Sequence, residues 1–161
     1  MRRSIAIATA LVALALPPCA TQVSHAAGAV EMQVEHIVVQ SIEEYNQAME
    51  AGDPQPWIRY FTDNVHRTSP LSSQQGRQAF ADYYSWEFKN FQAKYTTKKI
   101  IVSGRSAAVI YDWEGTHKAT GTPMKIDTVA IYELGPSGRF ESVSFYFDTA
   151  KIAALFAGGP K

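Results

Sequence analysis

Apolar residues recur at three- and four-residue steps through Val34, Ile37, Val38, Ile42, Tyr45 and Met49. That spacing predicts one amphipathic helix over residues 34–52, closed by Gly52, with the intervening polar residues facing out. A second stripe, Phe80, Tyr83, Tyr84, Phe88 and Phe91, predicts a long helix after Gly76 whose aromatic face lies opposite Arg77, Asp82 and Lys89. Between the two, Asp53-Pro54-Gln55-Pro56 reads as a turn, with Pro56 opening a short helix that runs to Phe61. A turn over residues 62–64, a short strand over 65–69 and a polar loop over 70–75 follow.

From Ala93 the period changes from helical to alternating, and turn residues arrive at Gly104, at Gly121 to Pro123 and at Gly135 to Gly138. The pattern predicts four long antiparallel strands over residues 93–103, 107–118, 124–134 and 139–148, joined as hairpins. A short helix over residues 149–156 ends the chain. Helices first and a strand meander afterwards is an α+β pattern, one sheet face being covered by helices. A phenol on the buried stripe of the first helix needs a hydrogen-bond partner or a ligand, which singles out Tyr45.

The beginning of the chain stands apart. Arg2 and Arg3 precede an uncharged apolar run from Ile5 to Leu16, then Pro17-Pro18 and small residues ending in Ala27-Gly28-Ala29. This is the order of a secretory signal peptide, and the run falls short of the roughly 20 residues that span a bilayer. The expectation is removal of residues 1–29, a single domain over 30–161, a secreted or periplasmic location and no membrane contact after cleavage. Cys19, the only cysteine, would leave with the signal, so no disulfide and no thiolate metal site is expected. Removing Arg2 and Arg3 leaves 13 basic against 15 acidic side chains, and such a surface has no electrostatic reason to hold nucleic acid.

The element order, together with Glu50-Ala51-Gly52-Asp53, Tyr60-Phe61-Thr62-Asp63-Asn64-Val65 and Gly138-Arg139-Phe140-Glu141 leading to Phe147-Asp148, resembles one fold family over residues 34–156. It is similar to the cone-shaped, cystatin-like fold of nuclear transport factor two, shared by SnoaL-like polyketide cyclases and ketosteroid isomerases. The resemblance implies a curved antiparallel sheet wrapped around a long N-terminal helix.

It also implies site positions. Isomerases of this fold carry an oxyanion tyrosine seven residues before the helix-ending glycine, where Tyr45 stands, and a supporting tyrosine eight after the helix-opening glycine, where Tyr84 stands. Their general base, an aspartate before the strand-ending proline, is replaced by Ser69, and a serine hydroxyl cannot take a proton from carbon without its own base. The second oxyanion donor falls at Ala130, a further supporting tyrosine is Phe61, and the aromatic wall persists as Phe147. What is implied is an isomerase-type pocket without the isomerase proton shuttle.

SnoaL-like cyclases use a differently placed carboxylate, often beside a histidine, and His117 with Asp127 is the pair to consider. A three-residue loop, Gly121-Thr122-Pro123, sets His117 opposite Asp127 as an acid–base dyad. A two-residue turn sets His117 opposite Ile126 and leaves Asp127 in solvent, which agrees with the apolar face Met124, Ile126, Thr128, Ala130, Tyr132 and Leu134. Arg67 shares the face of Ser69 and suits a ligand carboxylate, enolate or a salt bridge; Trp113 reads as core or pocket wall; His36 and His66 read as surface residues. No metal-ligand motif, phosphate loop or nucleophile elbow is present, so neither metal nor cofactor is expected.

Three readings follow. The first is a binder of a small apolar or aromatic molecule in a pocket of Tyr45, Phe61, Arg67, Ser69, Tyr84, Trp113 and Phe147. The second is an acid–base isomerase, cyclase or lyase using His117 and Asp127. The third is a structural module forming a homodimer through outward apolar residues such as Ile110 and Ile131.

Overall fold

The computed structural model describes residues 19–150 and 152, with side chains from Gly28 onward. The expected signal segment lies outside the described residues up to residue 18. The chain runs α1 (Cys19–Ala51), α2 (Gln55–Ile58), β1 (Phe61–Thr68), β2 (Ser73–Gln75), α3 (Arg77–Asn90), β3 (Phe91–Ser103), β4 (Ser106–His117), β5 (Thr122–Leu134) and β6 (Phe140–Phe147). Of the expected closing helix, residues 149, 150 and 152 form a turn, with the Ile152 N–H on the Thr149 carbonyl at 3.1 Å. The rest lies outside the described residues.

Of the expected stripe of α1, Val34, Val38, Ile42, Tyr45 and Met49 are buried and Ile37 is half-buried against the core, and Ser41 and Ala48 join them inside. Gly52 ends the helix at φ 72°. Its N–H reaches the Met49 carbonyl and that of Asp53 the Ala48 carbonyl, a Schellman closure that a left-handed glycine makes without strain. The short helix is briefer than expected and the strand after it longer, because the backbone from Phe61 already pairs with Phe140 of β6. The polar loop after Pro70 is also partly a strand: Ser73–Gln75 folds back antiparallel on β1 and brings Gln74 opposite Arg67.

The six strands form one sheet in the order β2-β1-β6-β5-β4-β3, parallel only between β1 and β6. Helix α1 packs on β3 and β4, and α3 on β1, β2 and β3. Asn46 fastens α1 to the sheet, donating to the Tyr95 carbonyl at 3.1 Å and accepting from the Tyr95 N–H at 2.8 Å. Alternation along the strands sends Tyr95, Val109, Tyr111, Trp113, Ile126, Ala130, Tyr132 and Phe145 to the helix side, where they form the core with the two helical stripes.

The β4–β5 hairpin differs from both expected registers. Its turn is Lys118 to Gly121, closed by the Gly121 N–H on the His117 carbonyl at 2.8 Å, and His117 pairs with Thr122. Pro123, which suggested a turn, lies within β5 opposite Thr116. It is tolerated there because β6 begins to pair with β5 only at Thr128, so this end of the strand has a free edge. In this register Asp112 stands opposite Asp127 on the outer face. Lys98 bridges both carboxylates, and Lys125 reaches Asp112 at 2.9 Å and Glu114 at 2.7 Å.

Candidate functional site

Between α3 and the inner sheet face lies a cavity lined by Arg67, Glu87, Tyr95, Tyr111, Trp113, Ile126, Thr128, Phe145, Phe147 and Ile152. Its volume is about 30 Å³. That is room for about one or two waters, so a larger guest would require a wall side chain to move. Ile152, on the turn after β6, closes one side. A roomier depression bounded by Gln92, Lys94, Glu114, Thr116, Met124 and Lys125 is an open surface groove containing none of the buried polar groups, so the chemistry belongs to the narrow cavity.

Glu87 is the carboxylate of this cavity, and its helix position explains its burial. It follows Tyr83 by four residues and Tyr84 by three, which places it on the aromatic face of α3 at 4% exposure. The Tyr45 hydroxyl donates to its Oε1 at 2.5 Å, and the Trp113 indole N–H donates to the Tyr45 oxygen at 3.3 Å. Burial raises the Glu87 carboxyl above the ordinary glutamate range, while the Tyr45 hydrogen bond and the Arg67 charge pull it back down. Burial, and then the Glu87 charge, hold the Tyr45 phenol well above its ordinary value, so it stays a donor.

Arg67 projects from β1 and is 3% exposed. Its Nε donates to the Tyr84 hydroxyl at 3.2 Å, and its Nη1 to Gln74 Oε1 at 2.8 Å, Ser72 Oγ at 3.1 Å and Ser69 Oγ at 3.4 Å. Its carbon Cζ lies 3.8 Å from the Tyr83 ring centre and 5.0 Å from that of Phe145. Neutral acceptors and ring faces thus stand where a buried guanidinium usually meets a carboxylate. The Tyr111 hydroxyl is buried on the cavity wall, beside Tyr95, whose ring centre lies 4.4 Å from that of Tyr111.

Of the residues expected to touch a ligand, Arg67, Trp113 and Phe147 line the cavity, while Tyr45, Tyr84 and Ser69 stand behind its wall and position Glu87 or Arg67. The expected hydroxyl-to-hydroxyl support between Tyr45 and Tyr84 does not form. Their rings meet edge to face at 6.3 Å and each hydroxyl has a different partner. Phe61 packs among Trp57, Phe80 and Phe140, away from the cavity.

The His117–Asp127 dyad is not formed. The observed register separates the two along the hairpin; the Asp127 side chain is 82% exposed and bound to Lys98, and His117 contacts Thr120 and the Phe91 ring. His36 and His66 are at the surface. Glu87, Gln74 and Tyr111 were not anticipated. The readable sign of Glu87 was a charged residue in helical phase with the α3 aromatic stripe. Among the described residues no three His, Cys, Asp or Glu side chains gather to hold a metal ion, and no helix is long and apolar enough to cross a membrane.

The architecture recurs in solved structures. The epoxide hydrolase/cyclase-like enzyme SalBIII of salinomycin pyran-ring formation superposes with a TM-score of 0.65 at 22% identity, over 73% of this chain and 92% of that one. A protein from Jannaschia sp. CCS1 named for a SnoaL-like polyketide cyclase gives 0.68 at 14% identity, over 81% and 96%. A protein from Catenulispora acidiphila with a ketosteroid isomerase-like fold, in complex with trimethylamine, gives 0.62 at 13% identity, over 71% and 89%. At these identities the likeness is one of fold. No curated protein matches the chain significantly. The profile of the SnoaL-like domain matches residues 42–143, from the second half of α1 into β6, and the chain therefore belongs to the SnoaL-like family.

Proposed function

We propose that the mature protein is an exported binder of a small apolar or aromatic molecule, held in the cavity between α3 and the inner sheet face. One observation carries the reading: a narrow cavity, aromatic on several sides, gathers the buried polar groups Arg67, Glu87 and Tyr111 on its wall. A mostly apolar cavity with a few convergent polar groups is the usual form of a small-molecule site. The Catenulispora relative is in complex with a small organic molecule, which supports binding by a protein of this fold. Export rests on the signal-like order of residues 1–29.

The missing isomerase base fits the same reading. Ser69, ahead of Pro70, has Arg67 and the Ser72 carbonyl at its hydroxyl and no base to activate it. The test is native mass spectrometry of protein purified from its own host, wild type beside Ile126→Phe, which fills the cavity. A small molecule retained by the wild type and lost from the variant is expected. Equal retention by both, or by neither, contradicts the proposal.

A further inference from the structure

We propose that Ile152 determines what the cavity accepts: its side chain occupies the space that a ligand takes and withdraws when the ligand enters. This role rests on the cavity being a ligand site and adds which part of its wall yields.

A cavity of about 30 Å³ holds water and not an aromatic ring, so binding needs a wall side chain to give way. Most of the wall is held in place. Arg67 is fixed by Tyr84, Gln74, Ser69 and Ser72, and Glu87 by Tyr45, Trp113 and Tyr83. Tyr95, Tyr111 and Trp113 lie on β3 and β4, which pair with each other along both strands, and Asn46 takes both backbone groups of Tyr95. Ile126 and Thr128 pair with Trp113 and Tyr111 of β4, while Phe145 and Phe147 pair with Ala130 and Thr128 of β5.

Ile152 differs. Among the described residues of the wall it is the one that stands on neither a helix nor a strand. Its backbone N–H bonds to the Thr149 carbonyl at 3.1 Å, and the Asp148 carboxylate accepts from the Ala150 N–H at 2.9 Å. Both bonds stay within the turn, and neither ties it to the sheet or to a helix. Yet the Ile152 side chain is only 3% exposed and belongs to the apolar core. Contact alone holds it there, so its withdrawal costs its own apolar burial and breaks no strand pairing. The same cost is subtracted from the affinity of any molecule that takes its place, because the binding-competent arrangement is the less populated one.

The experiment titrates protein labelled at the isoleucine δ1-methyl groups with phenol and reads binding and withdrawal separately. Binding is read from the Trp113 indole N–H resonance, and withdrawal from the Ile152 methyl. In the free protein that methyl lies in a cavity walled by Tyr95, Tyr111, Trp113, Phe145 and Phe147, so ring currents displace it from the position of an exposed isoleucine. Saturation with phenol should return the Ile152 methyl to the exposed position while the Ile126 methyl stays displaced. Ile152→Ala removes the occupant and should bind phenol about tenfold more tightly, the scale set by burying one isoleucine side chain. The methyl measurement is made on the wild type and stands whether or not the variant folds. An Ile152 methyl that keeps its place while Trp113 shifts, or a folded Ile152→Ala with the affinity of the wild type, overturns the role of Ile152 and leaves the ligand site standing. No Trp113 shift in either protein overturns both.

Discussion

The Tyr45 hydroxyl donates to Glu87 Oε1 at 2.5 Å, joining the buried stripe of the first helix to the only carboxylate among the described residues of the cavity wall. The Trp113 N–H at 3.3 Å continues the chain from β4, so one phenol ties together two helices and the sheet. Tyr45→Phe removes the donor and leaves a buried carboxyl under-satisfied, which should destabilise the protein by about 1–3 kcal/mol in urea unfolding. A loss below a few tenths of a kcal/mol would mean that the bond is incidental. The Tyr45 oxygen stands behind the wall, so any effect on a ligand acts through Glu87.

Glu87 should make the protein less stable as pH rises. Its carboxyl is raised in the folded state, so the folded protein binds more protons in the window above pH 4.5, the ordinary glutamate value. Stability present below that pH is lost as pH climbs toward the folded value, by at most about 1.4 kcal/mol per unit. Glu87→Gln keeps an acceptor for Tyr45 and should flatten this fall, which unfolding at a series of pH values reads directly. An unchanged slope contradicts the assignment.

Asp112 should act in the opposite direction. Hydrogen bonds from Lys98 and then Lys125 hold its carboxyl down to about 2. Its contribution is therefore present above the ordinary aspartate value of 3.8 and is lost as pH falls toward 2. Asp112→Asn should remove this acid-side loss and leave the neutral-side slope to Glu87.

Arg67→Lys should be far from conservative. A lysine offers no planar fork to reach Tyr84, Gln74 and the serines together, nor to lie flat on the Tyr83 ring. The expected loss is about 1.5–3 kcal/mol, the scale of hydrogen bonds to a charged group. Equal stability of Arg67→Lys and wild type would show that these contacts contribute nothing.

Gly115 packs beneath the Trp113 ring of the cavity wall. A Cβ there would stand 2.8 Å from the Trp113 ring and 2.9 Å from Ala93 Cβ. Gly115→Ala should therefore displace the indole, cost about 1–3 kcal/mol of overpacking and alter tryptophan fluorescence. An unaltered emission spectrum would mean that the indole has slack.

The architecture was legible where periodicity was long. The stripe from Val34 to Met49 and four strands of alternating burial each specify a face, so the four long strands, α3 and the end of α1 fall within a few residues of expectation, whereas α1 begins at Cys19 rather than at Val34. The β4–β5 register was not legible, because Gly121 and Pro123 compete as turn signals. The chain places Gly121 at the end of the turn and tolerates Pro123 on a free strand edge. For the site, Tyr45, Tyr84 and Arg67 were visible as polar groups on buried faces. Their partners were not, since Tyr45 reaches Glu87 across 42 residues of sequence and nothing local encodes that meeting.

The central claim is that the cavity beside Glu87 accepts a small apolar or aromatic molecule, and the three tryptophans offer a direct measurement. Trp113 lines the cavity, Trp57 lies in the core and Trp86 is on α3 outside the cavity wall. In 1H–15N spectra of the labelled protein titrated with phenol, a small aromatic probe, the account predicts a saturable shift of the Trp113 indole N–H while those of Trp57 and Trp86 stay in place. Three resonances that move together, or none that moves, would contradict it.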